Sequence, residues 1–348
     1  MRRLLIPLSW LYGLALWLRN SLYDLGFLTS VSVDVPVIVI GNLHVGGTGK
    51  SPLIAYTASL LKSSWSPAIL SRGYGRSTRG FHEVFENDRP SISGDEPLML
   101  RQMLPNTQVF VCENRVEGIR SIRSLNPNRV PLLLDDAFQH RRLKAGLNVL
   151  LCPFNTPWHT DYLLPAGRLR EGLSGLKRAN LIVVTKTPAD LSLEASLPYI
   201  DAIRCGRDIP VLFSTIRYRE ELAGLNGGVL STSGLSKHQI LVFSGIADPA
   251  PLQRYIGSLC SKLDSIVFPD HHPYSVADLI RIRRTFQSMP DPAILLTTRK
   301  DVVRLMNPEA IQHLGDLPVF IVDMETAFLF DGAAQYESIL NGYLERYR

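Results

Sequence analysis

Residues 37 to 52 read VIVIGNLHVGGTGKSP: an apolar run, a glycine-rich stretch, then a lysine, a serine and a proline. The apolar run predicts a strand over residues 36–40, the glycines predict a tight turn, and Pro52 suits the first turn of a helix. Strand, glycine turn and helix start are the context a phosphate-binding P-loop requires. The pattern Gly-x-x-x-x-Gly-Lys-Ser/Thr closes well on Gly49, Lys50 and Ser51, but His44 stands where its first glycine belongs. Backbone N–H groups at such a helix start bind phosphate, Lys50 adds a point charge, and Ser51 supplies a hydroxyl for magnesium. Gly46 and Gly47 bring the loop close to its ligand, and His44, Val45 and Thr48 complete it. On these residues alone, a P-loop with one substitution and a chance glycine turn both stand.

The same alternation runs on along the chain. Short apolar runs at 36–40, 67–71, 108–111, 130–134, 147–152 and 180–184 are interleaved with helical stretches starting at Lys50, Glu96 and Glu113, which predicts a parallel sheet covered on both faces. Residues 211–238, with YREELAGLNGGVLSTSGLSK, lose the rhythm and read as a linker. It restarts with ILVFSG, SIVFPD, AILLTTRKD and PVFIVD. The expected organisation is an N-terminal helix over 1–30, a P-loop domain over 31–210, a linker over 211–238, a smaller α/β domain over 239–325 and a last helix over 326–348. A chain of 348 residues is long for a single core, in keeping with two domains.

The first twenty residues, MRRLLIPLSWLYGLALWLRN, hold an uncharged run from Leu4 to Leu18 between arginines. Fifteen residues fall short of the roughly 20 that a spanning helix needs, and no small-x-small cleavage site follows. Trp10, Leu14, Trp17 and Leu18 share a helical face, and Arg2, Arg3 and Arg19 suit lipid phosphates, so the stretch reads as a helix lying in a membrane surface. The rival reading is an N-terminal helix packed into the core. Lys+Arg 37 against Asp+Glu 32 gives a net charge of +5, which suits an anionic partner but lacks the dense basic run of a nucleic-acid binder. The four cysteines form no C-x-x-C pair and read as reduced core residues.

VPLLLDDAFQH is a second apolar strand, ending in Asp135 and Asp136, an arrangement in which a strand-end carboxylate helps to hold magnesium. Further polar stretches fall at strand ends or helix starts, where open α/β sheets place their sites: SRGYGR (71–76), SGDEP (93–97), LLPAGRLREG (163–172), FPDHHPY (268–274) and TTRKD (297–301). Asp95 in SGDEP also fits a plain helix N-cap. The histidines of FPDHHPY also fit a surface turn, and no zinc spacing accompanies them.

Taken in order, GNLHVGGTGKSP, SRGYGR, GDEP, LLLDDAFQH, LLPAGRLRE, DHHPY and TRKD resemble the tetraacyldisaccharide 4'-kinase family, the lipid A 4'-kinases, over nearly the whole chain. The P-loop of that family also lacks the first glycine, so the resemblance implies a genuine P-loop of a variant kind. It implies two Rossmann-like α/β domains with the active site between them, and a membrane-associated N-terminal helix. The implied reaction is ATP- and Mg2+-dependent phosphorylation of the 4'-hydroxyl of a tetraacyldisaccharide 1-phosphate lipid at the cytoplasmic face of the inner membrane. It also implies Asp95 as the base, paired with His271 in preference to His272. Glu96, Asp135, Asp136, Gln139, His140, Arg170 and Glu171 match positions used around magnesium, phosphates or substrate. Of these, Ser51, Asp135 and Glu96 are the metal candidates; Gln139, His140, Arg170 and Glu171 are the substrate candidates; Lys50 and Asp136 join Asp95 and His271 as catalytic candidates. Ser51 replaces a threonine of the family, Ala137 a glycine, Arg168 a proline and Arg299 a glutamate.

Two rivals are weaker. VTKTPAD (184–190) resembles the guanine-reading N/T-K-x-D, but Pro188 sits where the aspartate belongs. A membrane-associated nucleotide-hydrolysing switch would leave Asp95 and the histidine segment without a task.

Overall fold

The computed structural model describes residues 2–126 and 130–348, the side chains of Arg2 and Arg3 excepted, so the part expected of those two arginines lies outside the described residues. The strands in chain order are β1 (Val37–Asn42), β2 (Ala68–Ser71), β3 (His82–Glu83), β4 (Gln108–Val111), β5 (Leu132–Asp135), β6 (Leu147–Pro153), β7 (Leu181–Thr185), β8 (Val211–Tyr218), β9 (Glu221–Gly224), β10 (Val229–Ser231), β11 (Gln239–Ser244), β12 (Lys262–Val267), β13 (Ala293–Thr298), β14 (Val319–Val322) and β15 (Met324–Phe328).

They form two sheets. The first runs β15-β8-β7-β6-β1-β5-β2-β4-β3, and the second runs β10-β9-β14-β13-β11-β12. The first is parallel from β8 across to β4, with antiparallel edge pairs β15–β8 and β4–β3. The second is parallel from β14 to β12 and antiparallel at β10, β9 and β14. All six residues of β1 are buried. Val37 and Val39 pack to one side and Ile38 and Ile40 to the other, each side continuing into a separate core cluster. A strand buried on both faces has no polar alternation, which is why β1 reads as an unbroken β-branched run.

Residues 211–238 are not a linker. β8 pairs parallel with β7 in the first sheet, while β9 and β10 form a hairpin on the edge of the second. The glycines that suggested a break, Gly227 and Gly228, hold left-handed φ of 88° and 82° in the hairpin turn. The second sheet therefore starts before residue 239, at Glu221. The chain then returns: β15 pairs with β8 over five residue pairs, from Met324↔Tyr218 to Phe328↔Ser214. The last helix, Gly332–Leu344, packs onto the first sheet's core through Tyr336, Leu340 and Tyr343. Tyr336 shares a 2.7 Å hydrogen bond with Thr57. The Tyr343 hydroxyl accepts from the Val37 amide at 2.9 Å and donates to the Val37 carbonyl at 3.1 Å.

The N-terminal helix Ile6–Asp24 is amphipathic in an inverted sense. Its inner face is hydrogen-bonded to the segment 163–171: Ser9 Oγ donates to the Leu163 carbonyl and accepts from the Ala166 amide, Tyr12 donates to the Arg170 carbonyl, and Asn20 donates to Glu171. Gly13 belongs to the same face, where a Cβ would come within 2.9 Å of Leu163. The outer face is apolar and bare: Trp10, Leu11, Leu14 and Trp17 are each at least 60% exposed. A core-packed helix would bury that face, so the core-packed alternative is excluded. No described helix is long and apolar enough to cross a membrane.

Candidate active site

The register of β1 against β5 brings the glycine loop and the paired aspartates together. Ile40 lies beside Asp135, and the Asp136 amide donates to the Ile40 carbonyl at 3.0 Å. Gly41 is required here, because a Cβ on it would sit 2.7 Å from that of Phe138. Both strand ends open on the carboxyl edge of the sheet, where such folds build their crevice.

His44 needs no glycine's freedom. It lies in an antiparallel bridge with Leu169 and has no positive φ, unlike Gly46 and Gly49 at 101° and 88°. Its ring is buried, 3.7 Å from Asp161, and burial holds its basicity below the usual range. The Val45 amide donates to the Arg168 carbonyl, so His44 and Val45 brace the start of the loop against residues 168–169. The amides of Gly46, Gly47, Thr48 and Gly49 meet no protein acceptor among the described residues. The Thr48 side chain accepts from Asn42, its carbonyl accepts from Thr185 at 2.7 Å, and Gly49 in left-handed conformation starts the helix Lys50–Leu61.

Lys50 Nζ stands 3.8 Å from Asp136. Asp136, itself at φ 50°, is held bidentately by Arg170 at 2.8 and 2.6 Å. Burial raises the Asp136 carboxyl, but the Arg170 hydrogen bonds and the charges of Lys50, Arg170 and Arg115 outweigh it and hold the group below its ordinary value. Asp135 behaves oppositely. It accepts from Ser71 at 2.9 Å through Oδ2, while Oδ1 is buried without a partner. Burial, with the nearby charge of Glu96, pushes it up to about 7. Arg115 lies beneath, donating to the carbonyls of Cys112 and Asp135 at 2.8 and 3.0 Å.

A buried carboxylate oxygen lacking a donor, raised by a second carboxylate, is a site short of a cation. Asp135, Glu96 and the Ser51 hydroxyl thus fit magnesium, which is commonly held by one or two carboxylates together with substrate phosphates. Accordingly, no cluster of three His, Cys, Asp or Glu that could hold a metal alone occurs among the described residues.

Gln139 donates to the Asn42 carbonyl at 2.9 Å, below Arg170. Burial and the charges of Arg115, Arg142 and Arg72 push His140 down to about 4, and its Nε2 is buried without a partner. Glu171 is only 1% exposed and is occupied by Arg178 and by Asn20 of the N-terminal helix. Both bonds end on Oε1, and Oε2 is buried without a partner.

Asp95 is not a helix cap. Gly94, at φ 91°, takes the N-cap position and Asp95 opens the helix Asp95–Met103. Its Oδ2 accepts from His271 Nδ1 at 3.0 Å and from Arg304 Nε at 2.7 Å, both from the side of the second sheet. His272 instead bonds Asp278 at 2.9 Å and stacks on Phe268, bracing the capping box of the helix Val276–Gln287. Lys300 reaches Asp270 at 3.1 Å and His271 Nε2 at 3.2 Å. Arg299 turns away to pair with Asp323. Sequence reasoning missed Arg115 and Arg304; the signal for the latter was an arginine inside the apolar run VVRL.

The sequence model of the family described as tetraacyldisaccharide-1-P 4'-kinase matches residues 1–344. The chain belongs to that family. A tetraacyldisaccharide 4'-kinase of Flavobacterium johnsoniae is 40% identical over 319 residues, covering 92% of each chain. One from Bacteroides thetaiotaomicron is 35% identical over 351 residues, 98% of this chain and 92% of the relative. Among solved structures, LpxK from Aquifex aeolicus in complex with ATP matches with a TM-score of 0.77 at 29% identity, covering 98% of this chain and 99% of that one. The mixed α/β architecture with parallel sheets is thus the architecture of a 4'-kinase.

Proposed function

We propose that this chain transfers the γ-phosphate of ATP to the 4'-hydroxyl of a tetraacyldisaccharide 1-phosphate lipid, at the cytoplasmic face of the inner membrane, with the loop 44–51 as a variant P-loop and the two sheets as the cores of two Rossmann-like domains. One observation carries the reading: Asp95, from a helix of the first sheet's side, meets His271 from the second at 3.0 Å, in a chain of this family.

Phosphoryl transfer passes through a loose transition state, so the protein's work is positioning and charge neutralisation. The free amides of residues 46–49 and the Lys50 ammonium bind the phosphates. Arg170, fixed on Asp136, adds a second cation, and Asp136 holds both cations in place. Asp135, Glu96 and Ser51 would hold magnesium, which when bound neutralises phosphate charge. Asp95 accepts the proton of the acceptor hydroxyl as general base, a role worth roughly 10²–10⁴-fold. Gln139 and His140 line the floor, and Glu171 ties it to the N-terminal helix, whose bare apolar face suits the surface in which the acceptor lipid lies.

Transfer of labelled γ-phosphate from ATP to a disaccharide-1-phosphate lipid in detergent tests the proposal. Phosphate released at an unchanged rate without the lipid, with no labelled lipid formed, refutes it and supports a nucleotide-hydrolysing switch.

A further inference from the structure

We propose that Arg304 is a positioning residue for Asp95, fixing the carboxylate so that one oxygen is bound by protein and the other stays open to the acceptor hydroxyl. The proposal rests on the reading of Asp95 as the base. Arg304 belongs to the helix Arg299–Leu305, and its side chain is 5% exposed. Each end of the guanidinium is engaged. Nε donates to Asp95 Oδ2 at 2.7 Å; Nη1 donates to the Gly245 carbonyl at 3.0 Å and to Asp301 at 3.3 Å; Nη2 lies 3.3 Å from His271 Nδ1. Asp301 is itself fully buried and accepts from the Gly245 amide, the Tyr274 hydroxyl and Thr298. The arginine is thus clamped within the second sheet's side before it reaches across to Asp95.

Two features separate this from a generic strut. Both donors, Arg304 and His271, converge on Oδ2, and Oδ1 has no protein partner among the described residues. A carboxylate bound at one oxygen by a rigid donor has its plane fixed and presents the other oxygen in one direction, which is the requirement for a positioned base. The second feature is the charge. The Lys300 ammonium lies 3.2 Å from His271 Nε2, across the ring from Asp95, and does not touch the carboxylate itself. The permanent cation touching Asp95 is Arg304, whose guanidinium stays charged at every working pH. His271 is more exposed, at 39% for its side chain, and sits at a left-handed φ of 60° in a loop. Arg304 is the more firmly held partner.

The experiment measures kcat and KM, with ATP and the disaccharide-1-phosphate lipid in detergent, for Arg304→Gln, Arg304→Lys, Asp95→Asn and Arg304→Gln with Asp95→Asn. Arg304→Gln is expected to lower kcat about 10²-fold with the KM for ATP within about threefold, and to add nothing to Asp95→Asn, as for residues acting as one unit. Arg304→Lys is expected to restore about tenfold of that loss. Losses that multiply with Asp95→Asn, or a KM for ATP that rises along with the fall in kcat, overturn the assignment and leave Arg304 a strut. Should Arg304→Gln fail to fold, Arg304→Lys decides: it keeps the charge and loses the Nε–H, so wild-type kcat in it overturns the proposal. Asp95→Asn with near wild-type turnover sinks the base reading itself, an outcome distinct from an inactive Asp95→Asn beside an unaffected Arg304→Gln.

Discussion

Replacing Trp10, Leu11, Leu14 and Trp17 together by serine tests what the N-terminal helix does. These side chains are 72, 65, 60 and 63% exposed, so they contribute little to the folded core. Moving a large apolar side chain fully out of water is worth about 1.5–3 kcal/mol, and roughly two-thirds of that surface is still wet here. A helix lying in the headgroup region immerses roughly half of it, giving about 0.5–1 kcal/mol per residue. Four residues then amount to about 2–4 kcal/mol, or about 30- to 1,000-fold in partitioning. The inner face, with Ser9, Tyr12, Gly13 and Asn20, is untouched, so docking on residues 163–171 persists. The assay is co-sedimentation with phosphatidylglycerol-containing vesicles at several lipid concentrations, with the melting temperature recorded in parallel. Binding within about threefold of wild type at unchanged melting temperature would refute the membrane-surface role.

Lys50→Ala is expected to abolish phosphate transfer while leaving the melting temperature nearly unchanged, since its ion pair with Asp136 is a 3.8 Å contact. Activity within about tenfold of wild type would remove the phosphate-binding reading of the loop. His271→Ala should lower kcat clearly, whereas His272→Ala, which loses only a brace of a capping box, should instead lower stability by about 1 kcal/mol; kcat and melting temperature for both variants decide this. Asp135→Asn should stabilise the metal-free protein at alkaline pH. The folded state holds this proton up to about 7, well above the ordinary carboxylate value, so it binds more protons than the unfolded chain across that window, and wild-type stability falls as pH rises through it. Melting curves from pH 5 to 8 without magnesium should show the variant gaining on wild type, and parallel curves would show that Asp135 ionises freely.

Strands such as β1, β5 and β7 were legible because parallel strands buried on both faces are unbroken apolar runs, and VIVI, LLLD and LIVV admit little else. By contrast, β3, β8, β9, β10 and β15 were missed, the last lying partly in the expected helix 326–348. The glycine loop and the Asp135–Asp136 pair were legible because their roles depend on neighbours in sequence. What was hidden depends on neighbours in space. Asp95 read equally as a cap until Gly94 took that position. Arg304 lies 209 residues from Asp95, and nothing in one chain's order signals that pairing. The stretch 211–238 was misread because a hairpin turn and a linker use the same glycines. Only the register with β7 and β14 separates the two.

The return of the chain to the first sheet bears on how the protein is made. β14 ends at Val322, so every strand of the second sheet has been synthesised while the first still lacks β15 and the helix that holds Tyr343 against Val37. The two residues of that last contact are 306 positions apart. During translation, the strand that leads into the glycine loop must therefore wait, with one side of its core uncovered, for nearly the whole message to be read. A nonsense codon near residue 323 would release a chain carrying every residue singled out for catalysis and lacking the strand and helix that cover one side of the first sheet's core. A cell's quality-control proteases would meet that product as exposed apolar sheet.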